Sequence, residues 1–198
     1  MYEVELKFPL ESADSFVRAL AALGASAGET LEQADLYFNH PSRDFETTDE
    51  AFRIRTVNGR HVVTYKGPVV DSRTKTRREI ELALEGNDAR GRAAEMLQLL
   101  GFRPVREVRK RRQTWHLAWQ GREFELALDQ VEELGQFVEI ETLASESEKP
   151  AALAAIHSLV SQFHLPAAER KPYLCLLLEK DRQNRLNFPL QNSETLIV

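Results

Sequence analysis

The sequence predicts an α+β fold: a closed eight-stranded antiparallel β-barrel, or tunnel, with helices packed on its outside. Three observations predict it. Several segments alternate apolar and polar residues with a period of two. Asn-Gly and Gln-Gly pairs join neighbouring segments as hairpins, and helical segments follow other strands. About eight strands are present, which is enough to close a barrel.

Length and composition favour one soluble domain. The 198 residues are 42% hydrophobic and 29% charged, so a core and a polar surface are both available. We expect a domain over residues 1–180 and a polar, loosely held tail over 181–198. The net charge of -5 argues against a nucleic-acid partner. The chain has no run of eighteen apolar residues, so we expect a cytoplasmic protein without a membrane partner.

Three helices are predicted from apolar spacing and end signals. The first begins near Ser12, a suitable N-cap, and ends at Leu23 before Gly24. The other two run from about residue 88 to 100, before Gly101, and from about 149 to 163, with Pro150 in the first turn.

The strands are predicted from alternation. In order they are EVELKF, AFRIRTV, HVVTYKG, REIELAL, VREVRKRRQTWHLAW, REFELALDQV, FVEIETL and YLCLLLEK. Turns at Asn58-Gly59 and Gln120-Gly121 join two pairs of them. The polar segment 40–50 is predicted to be a long loop.

A strand with two glutamates on one face is followed by a helix three times. The pairs are Glu3 and Glu5, Glu79 and Glu81, and Glu139 and Glu141. Side chains alternate across a strand, so the residues between the glutamates lie on the opposite face. They are mainly apolar, and that face suits packing against a helix. A solvated edge strand explains one such pair, but three in the same layout indicate a common role.

Basic residues follow the same alternation. Arg53 shares a face with Arg55, Lys110 with Arg112, and Arg77 with Glu79 and Glu81. Solvated strand faces or salt bridges to the glutamates explain any single pair. The run Arg109–Arg112 also resembles a basic nucleic-acid patch, but it lies in an alternating strand of an acidic chain.

Together the two charge types predict a wet, charged interior that holds a charged ligand. Buried charges are costly unless they are paired or solvated. Clustered Arg and Lys suit a polyanion such as a triphosphate. Carboxylates beside them suit a hard divalent cation that bridges phosphate oxygens. We therefore predict a metal–polyphosphate site.

The ordered motifs resemble the CYTH, or triphosphate tunnel, family. They are the N-terminal ExExK of Glu3, Glu5 and Lys7, then QADLYFNHPSRDFETTDEAFRIR, TYKGP, TRREIEL, VRKRRQTW, LDQVEELGQFVEIE and YLCLLLEK. The second motif is most similar to the class IV adenylate cyclase branch. The resemblance covers roughly residues 1–180 and implies an eight-stranded tunnel with bound Mg²⁺ or Mn²⁺.

The resemblance also implies roles for individual residues. The metal candidates are Glu3, Glu5, Glu139 and Glu141. The triphosphate candidates are Lys7, Arg53, Arg55, Lys66, Arg77, Lys110 and Arg112, of which Lys7, Lys66 and Arg112 are the candidates for catalysis. Glu79, Glu81 and Asp129 are expected to line the tunnel without a defined role.

Three functions fit these residues. The first is cyclisation of ATP to cyclic AMP with release of pyrophosphate. The second is hydrolysis of inorganic tripolyphosphate or an organic triphosphate such as thiamine triphosphate, in the same tunnel. The third is a non-catalytic polyphosphate- or nucleotide-binding module, which does not explain so many acids. Relatives in the family are often dimers, so a homodimer is left open.

Overall fold

The structure, a computed structural model, describes residues 2–68 and 78–187. Within these residues the chain forms one antiparallel sheet, four α-helices and a short 3-10 helix, Glu146–Glu148. The strands are β1 (Tyr2–Leu10), β2 (Ser26–Asn39), β3 (Ala51–Val57), β4 (Arg60–Lys66), β5 (Glu79–Leu84), β6 (Arg103–Trp119), β7 (Arg122–Val131) and β8 (Gly135–Ala144). The helices are α1 (Ala13–Ala22), α2 (Ala89–Leu99), α3 (Lys149–Gln162) and α4 (Tyr173–Asn187).

The sheet is open, so the predicted closed barrel is wrong. Its strand order is β1-β8-β7-β6-β2-β3-β4-β5, and within the described residues no ladder joins β5 to β1. Both edge strands carry a glutamate pair, Glu3 and Glu5 on β1 and Glu79 and Glu81 on β5. A sheet closes only when its first and last strands pair, and in the described residues β5 and β1 do not.

The predicted end signals of the helices and hairpins are confirmed. The Ser12 hydroxyl caps α1 by accepting a hydrogen bond from the Ser15 amide at 3.4 Å. The turn between β3 and β4 has positive φ at Asn58 and Gly59, and the turn between β6 and β7 has it at Gln120 and Gly121. Segment 40–50 is a loop, as expected.

The apolar face of the sheet packs on α1 and α3, as the alternation predicts. Phe8 of β1 is buried in the main core with Phe16 and Leu20 of α1 and with Ile156 and Leu159 of α3. Val4 and Leu6 pack against the same core. The opposite face of the sheet carries the acidic and basic side chains and is called the charged face below.

Two elements differ from the sequence-based prediction. The segment YLCLLLEK was predicted to be a strand, but it forms the first half of α4, which runs through residues 181–187. It lies on the charged face, where Tyr173 and Leu177 pack with Val108, Val131 and Phe137, and so does not lie outside with the other helices. The sequence-based account also omitted β2, whose first five residues are all exposed and give no alternation.

No helix in residues 2–68 and 78–187 has the length and apolar character needed to cross a bilayer.

Candidate functional site

Asp35 of β2 holds two of the predicted phosphate-binding arginines. Arg55, its partner in the register of β2 and β3, donates from Nε and Nη2 to the two Asp35 oxygens at 2.6 and 2.7 Å. Arg53 donates to Asp35 Oδ2 and to the Tyr37 hydroxyl, each at 3.1 Å. Burial acts to raise the pKa of Asp35, but the Arg55 hydrogen bonds and the nearby positive charges lower it below its usual value.

Asp129 of β7 holds Lys110 and Arg112 of β6, as Asp35 holds the two arginines of β3. Its carboxylate is fully buried and accepts from Arg112 Nε and Nη2 at 2.7 and 2.6 Å, and from Lys110 Nζ at 2.9 Å. The Tyr173 hydroxyl donates to Asp129 Oδ2 at 3.0 Å. Burial acts to raise the pKa of Asp129, but the Arg112 hydrogen bonds and the Lys110 charge lower it, so the carboxylate stays ionised.

Two buried lysines converge on Tyr173. The Lys7 ammonium lies 4.2 Å from the centre of the ring and the Lys110 ammonium 5.2 Å from it. Lys7 also donates to the Lys171 carbonyl. Burial lowers the pKa of Lys110, and the neighbouring Arg112 lowers it further. The charged face therefore concentrates positive charge from β1, β3 and β6.

Three carboxylates form an acidic group near the β1 edge. Glu5 is opposite Glu141 in the register of β1 and β8, and Glu3 lies two residues away on the same face. One oxygen from each of Glu3, Glu5 and Glu141 lies within 4.8 Å of the other two. Burial raises the pKa of Glu141 to about 8, and the charges of Glu3, Glu125 and Glu5 add to the effect.

This acidic group fits a hard divalent cation. Carboxylate oxygens are the ligands that Mg²⁺ and Mn²⁺ prefer. The three carboxyl oxygens lie close enough together to contact one cation, and a cation there would offset both the burial and the neighbouring negative charges that raise the pKa of Glu141. Glu3, Glu5 and Glu141 could therefore hold such a cation.

Glu139, the fourth predicted metal ligand, lies outside that group. It is opposite Lys7 in the register of β1 and β8 and forms an ion pair with Arg112. The structure thus places Glu139 between the acidic group and the basic cluster, which consists of Lys7, Arg53, Arg55, Lys110 and Arg112.

The predicted residues of β4 and β5 lie at the other edge of the sheet. Lys66 is paired with Glu79 at 2.7 Å, and Glu81 accepts a hydrogen bond from the Thr64 hydroxyl at 3.0 Å. Arg77 lies outside the described residues. The predicted site residues therefore form two separate groups. One is the basic cluster with the acidic residues beside it, and the other consists of the Lys66–Glu79 and Thr64–Glu81 contacts between β4 and β5.

Three residues of the site were not predicted. Asp35 lies on β2, where the alternation Gln33, Asp35, Tyr37 was the available signal. Glu125 follows Glu123 at the same spacing as the recognised glutamate pairs. Tyr173 carries no sequence signal, because its role depends on the packing of α4 on the charged face.

Comparison with known proteins places this geometry in a family. Residues 1–173, which include all eight strands, match the CYTH domain. The chain belongs to the CYTH family. A putative adenylate cyclase from Methanocaldococcus jannaschii is 36% identical over 177 residues, 88% of this chain and 97% of that protein. Adenylate cyclase CyaB from Aeromonas hydrophila is 30% identical over 172 residues, 85% and 83% of the two chains.

A solved structure supports the fold of this CYTH protein. The PH1819 protein from Pyrococcus horikoshii is 38% identical, with a TM-score of 0.74 over 90% of this chain and 99% of that one. The matched CYTH region ends at Tyr173, the first residue of α4 and the one that the two lysines contact.

Proposed function

We propose that this CYTH protein is a metal-dependent enzyme that acts on a triphosphate group, and that its reaction is conversion of ATP to cyclic AMP and pyrophosphate. The observation that carries the proposal is the meeting of a basic cluster and an acidic group on one face of the sheet. The basic cluster consists of Lys7, Arg53, Arg55, Lys110 and Arg112. The names of the two cyclase relatives support the choice of reaction.

The basic cluster is suited to bind the phosphate chain. Arg55 and Arg112 are each held by a bidentate contact with an aspartate, so little side-chain entropy is lost when they bind an anion. Lys110 and Lys7 add ammonium groups in a buried setting where electrostatic attraction is strong. Arg77 and Lys66, the remaining triphosphate candidates, stay predictions.

The reaction itself needs little covalent chemistry from the protein. The 3′ oxygen of the ribose forms a bond to the α-phosphorus, the bond from that phosphorus to the bridging oxygen breaks, and pyrophosphate leaves. The 3′ hydroxyl proton passes to solvent water, and negative charge grows on the pyrophosphate leaving group. Lys7 and Arg112 stabilise that charge from fixed positions, so catalysis is positioning plus electrostatics. Lys66, the third catalytic candidate, stays a prediction.

The metal belongs to the same proposal. Glu3, Glu5 and Glu141 would hold Mg²⁺ or Mn²⁺, and Glu139 is proposed as a further ligand that can exchange its contact with Arg112. When bound, the cation supplies charge neutralisation at the phosphate oxygens. The acidic residues keep it beside the basic cluster and so fix the position of the phosphate chain.

Hydrolysis of a triphosphate is the second candidate. The observation that favours it is that the basic side chains on the charged face, with the acidic group beside them, are of the types that bind a phosphate chain with its metal, which is all that hydrolysis requires. The same residues would then bind tripolyphosphate or an organic triphosphate such as thiamine triphosphate, and water would attack the terminal phosphorus.

Product analysis separates the candidates. The purified protein is incubated with ATP, tripolyphosphate or thiamine triphosphate in Mg²⁺ or Mn²⁺, and the products are resolved by chromatography. Cyclic AMP with pyrophosphate supports the cyclase, and orthophosphate from tripolyphosphate without cyclic AMP supports the phosphatase. Metal-dependent binding with no product would show a binding module and overturn both.

A cytoplasmic location and a homodimer stay predictions.

A further inference from the structure

Tyr173 connects parts of the charged face that the sheet itself keeps apart. Lys7 is on β1 and Lys110 on β6, with β8 and β7 between them. Three strand spacings separate their backbones by ~14 Å. Both ammonium groups nevertheless reach one ring, at 4.2 and 5.2 Å from its centre.

The ring attracts both ammonium groups. An aromatic face carries partial negative charge and attracts an ammonium group, most strongly where water is excluded. Lys7, Lys110 and Tyr173 are each less than one-tenth exposed. The Tyr173 hydroxyl also has a hydrogen-bond partner, because it donates to Asp129 Oδ2, the oxygen that Lys110 also contacts.

The local sequence explains how α4 presents this residue. Pro172 precedes Tyr173, and the Leu176 amide donates to the Pro172 carbonyl in the first turn of the helix. The Lys171 carbonyl lies before that turn and accepts from Lys7. The neighbouring Glu169 amide donates to the Lys7 carbonyl at 2.7 Å, which ties this segment to β1.

We propose that Tyr173 is a positioning residue that fixes the ammonium groups of Lys7 and Lys110 at one ring, so that both bind the same phosphate chain. The inference rests on the proposed function in taking that chain to be a triphosphate. The ring is the part that acts on the lysines, and the hydroxyl only adds one donor to an Asp129 carboxylate that Lys110 and Arg112 already hold.

The test compares three variants of the full-length protein. Tyr173→Leu removes the ring, and Tyr173→Phe keeps the ring and removes the hydroxyl. Phe137→Leu is the matched control, because Phe137 packs in the same cluster with its ring 5.1 Å from that of Tyr173. If Tyr173→Leu does not fold, Tyr173→Met takes its place. Melting temperatures are measured for every variant, and binding is measured only on folded protein.

Binding of tripolyphosphate with Mg²⁺ is measured by calorimetry. We expect Tyr173→Leu to bind at least tenfold more weakly, which is about 1.4 kcal/mol. Tyr173→Phe and Phe137→Leu should stay within about threefold of the wild type. Equal losses in Tyr173→Leu and Phe137→Leu would show a merely structural role. An equal loss in Tyr173→Phe and Tyr173→Leu would overturn the role of the ring.

A second readout does not depend on any substrate. Acetic anhydride modifies lysine ammonium groups after deprotonation, and mass spectrometry reports the rate at each lysine. We expect Tyr173→Leu to accelerate labelling of Lys7 and Lys110 severalfold, while Phe137→Leu leaves both rates unchanged. If the wild type failed to bind tripolyphosphate, the proposed function would be wrong, and labelling would still decide the role of Tyr173. Unchanged labelling in Tyr173→Leu would overturn the inference.

Discussion

Replacing Asp129 by asparagine removes the negative charge at the centre of the basic cluster. The Asp129 carboxylate is fully buried and accepts hydrogen bonds from Lys110, Arg112 and Tyr173. Removing one partner of a buried ion pair costs about 3–5 kcal/mol, because the other charge stays buried. Arg112 retains Glu139 as a partner, so we expect the lower value, about 3 kcal/mol. For a chain of this length that corresponds to a melting temperature lower by roughly 6–12 °C.

The assay is urea unfolding followed by circular dichroism at pH 7, without metal or phosphate. Glu123→Gln is the matched control, because Glu123 lies on the same strand and is exposed. Its free energy of unfolding should stay within about 0.5 kcal/mol of the wild type. Tripolyphosphate should restore part of the stability of Asp129→Asn, since its oxygens replace the lost carboxylate. A loss below about 1 kcal/mol would refute the assigned role of Asp129.

Three further predictions follow from the same contacts. Because the pKa of Asp129 is lowered on folding, its stabilisation is present above the unfolded pKa of about 3.9 and is lost as pH falls through the folded pKa. Between about pH 5 and 2 the free energy of unfolding should therefore fall more with decreasing pH for the wild type than for Asp129→Asn, and parallel pH profiles would contradict this. The pKa of Glu141 is raised from 4.5 to about 8, so without metal Glu141 destabilises the fold increasingly as pH rises from about 4.5 to about 8, and the effect then levels off. Glu141→Gln should then raise the metal-free melting temperature at pH 9 and abolish the increase that Mg²⁺ gives, and an undiminished Mg²⁺ effect would exclude Glu141 as a ligand. Arg55→Lys replaces a bidentate contact with Asp35 by a point charge, and calorimetry should show triphosphate binding weakened about tenfold. Unchanged affinity would remove Arg55 from the site.

Local features of the fold were predictable because their physics is local. A few neighbouring residues decide each of them, as in the Ser12 cap, the Asn58-Gly59 turn and the alternation in β1. The three glutamate pairs were also recognisable, since a period of two places both acids of a pair on one face.

The errors concern features that depend on tertiary packing. YLCLLLEK is a continuous apolar run, and such a run fits a buried strand or a buried helix equally well. Its helical form lets Tyr173 and Leu177, four residues apart, face the same cluster. Closure of the sheet depends on pairing between the first and last strands, which no local pattern specifies.

The sequence predicted which residues share the charged face, but it did not predict which acid forms an ion pair with which base. Alternation indicated that Arg53, Arg55, Lys110 and Arg112 share a face, and the structure places them there. Alternation does not say which acid pairs with which base, so the sequence could not separate Glu139, paired with Arg112, from Glu141 in the acidic group.

The most direct test of the central claim is the metal dependence of triphosphate turnover. Consumption of ATP and of tripolyphosphate is followed by phosphorus NMR for the wild type, Glu5→Gln and the control Glu123→Gln, each with Mg²⁺, with Mn²⁺ and with a chelator. The proposal predicts turnover in the wild type and the control only when metal is present, and background rates in a Glu5→Gln protein that remains folded. Undiminished turnover in Glu5→Gln, or turnover that survives the chelator, would contradict it.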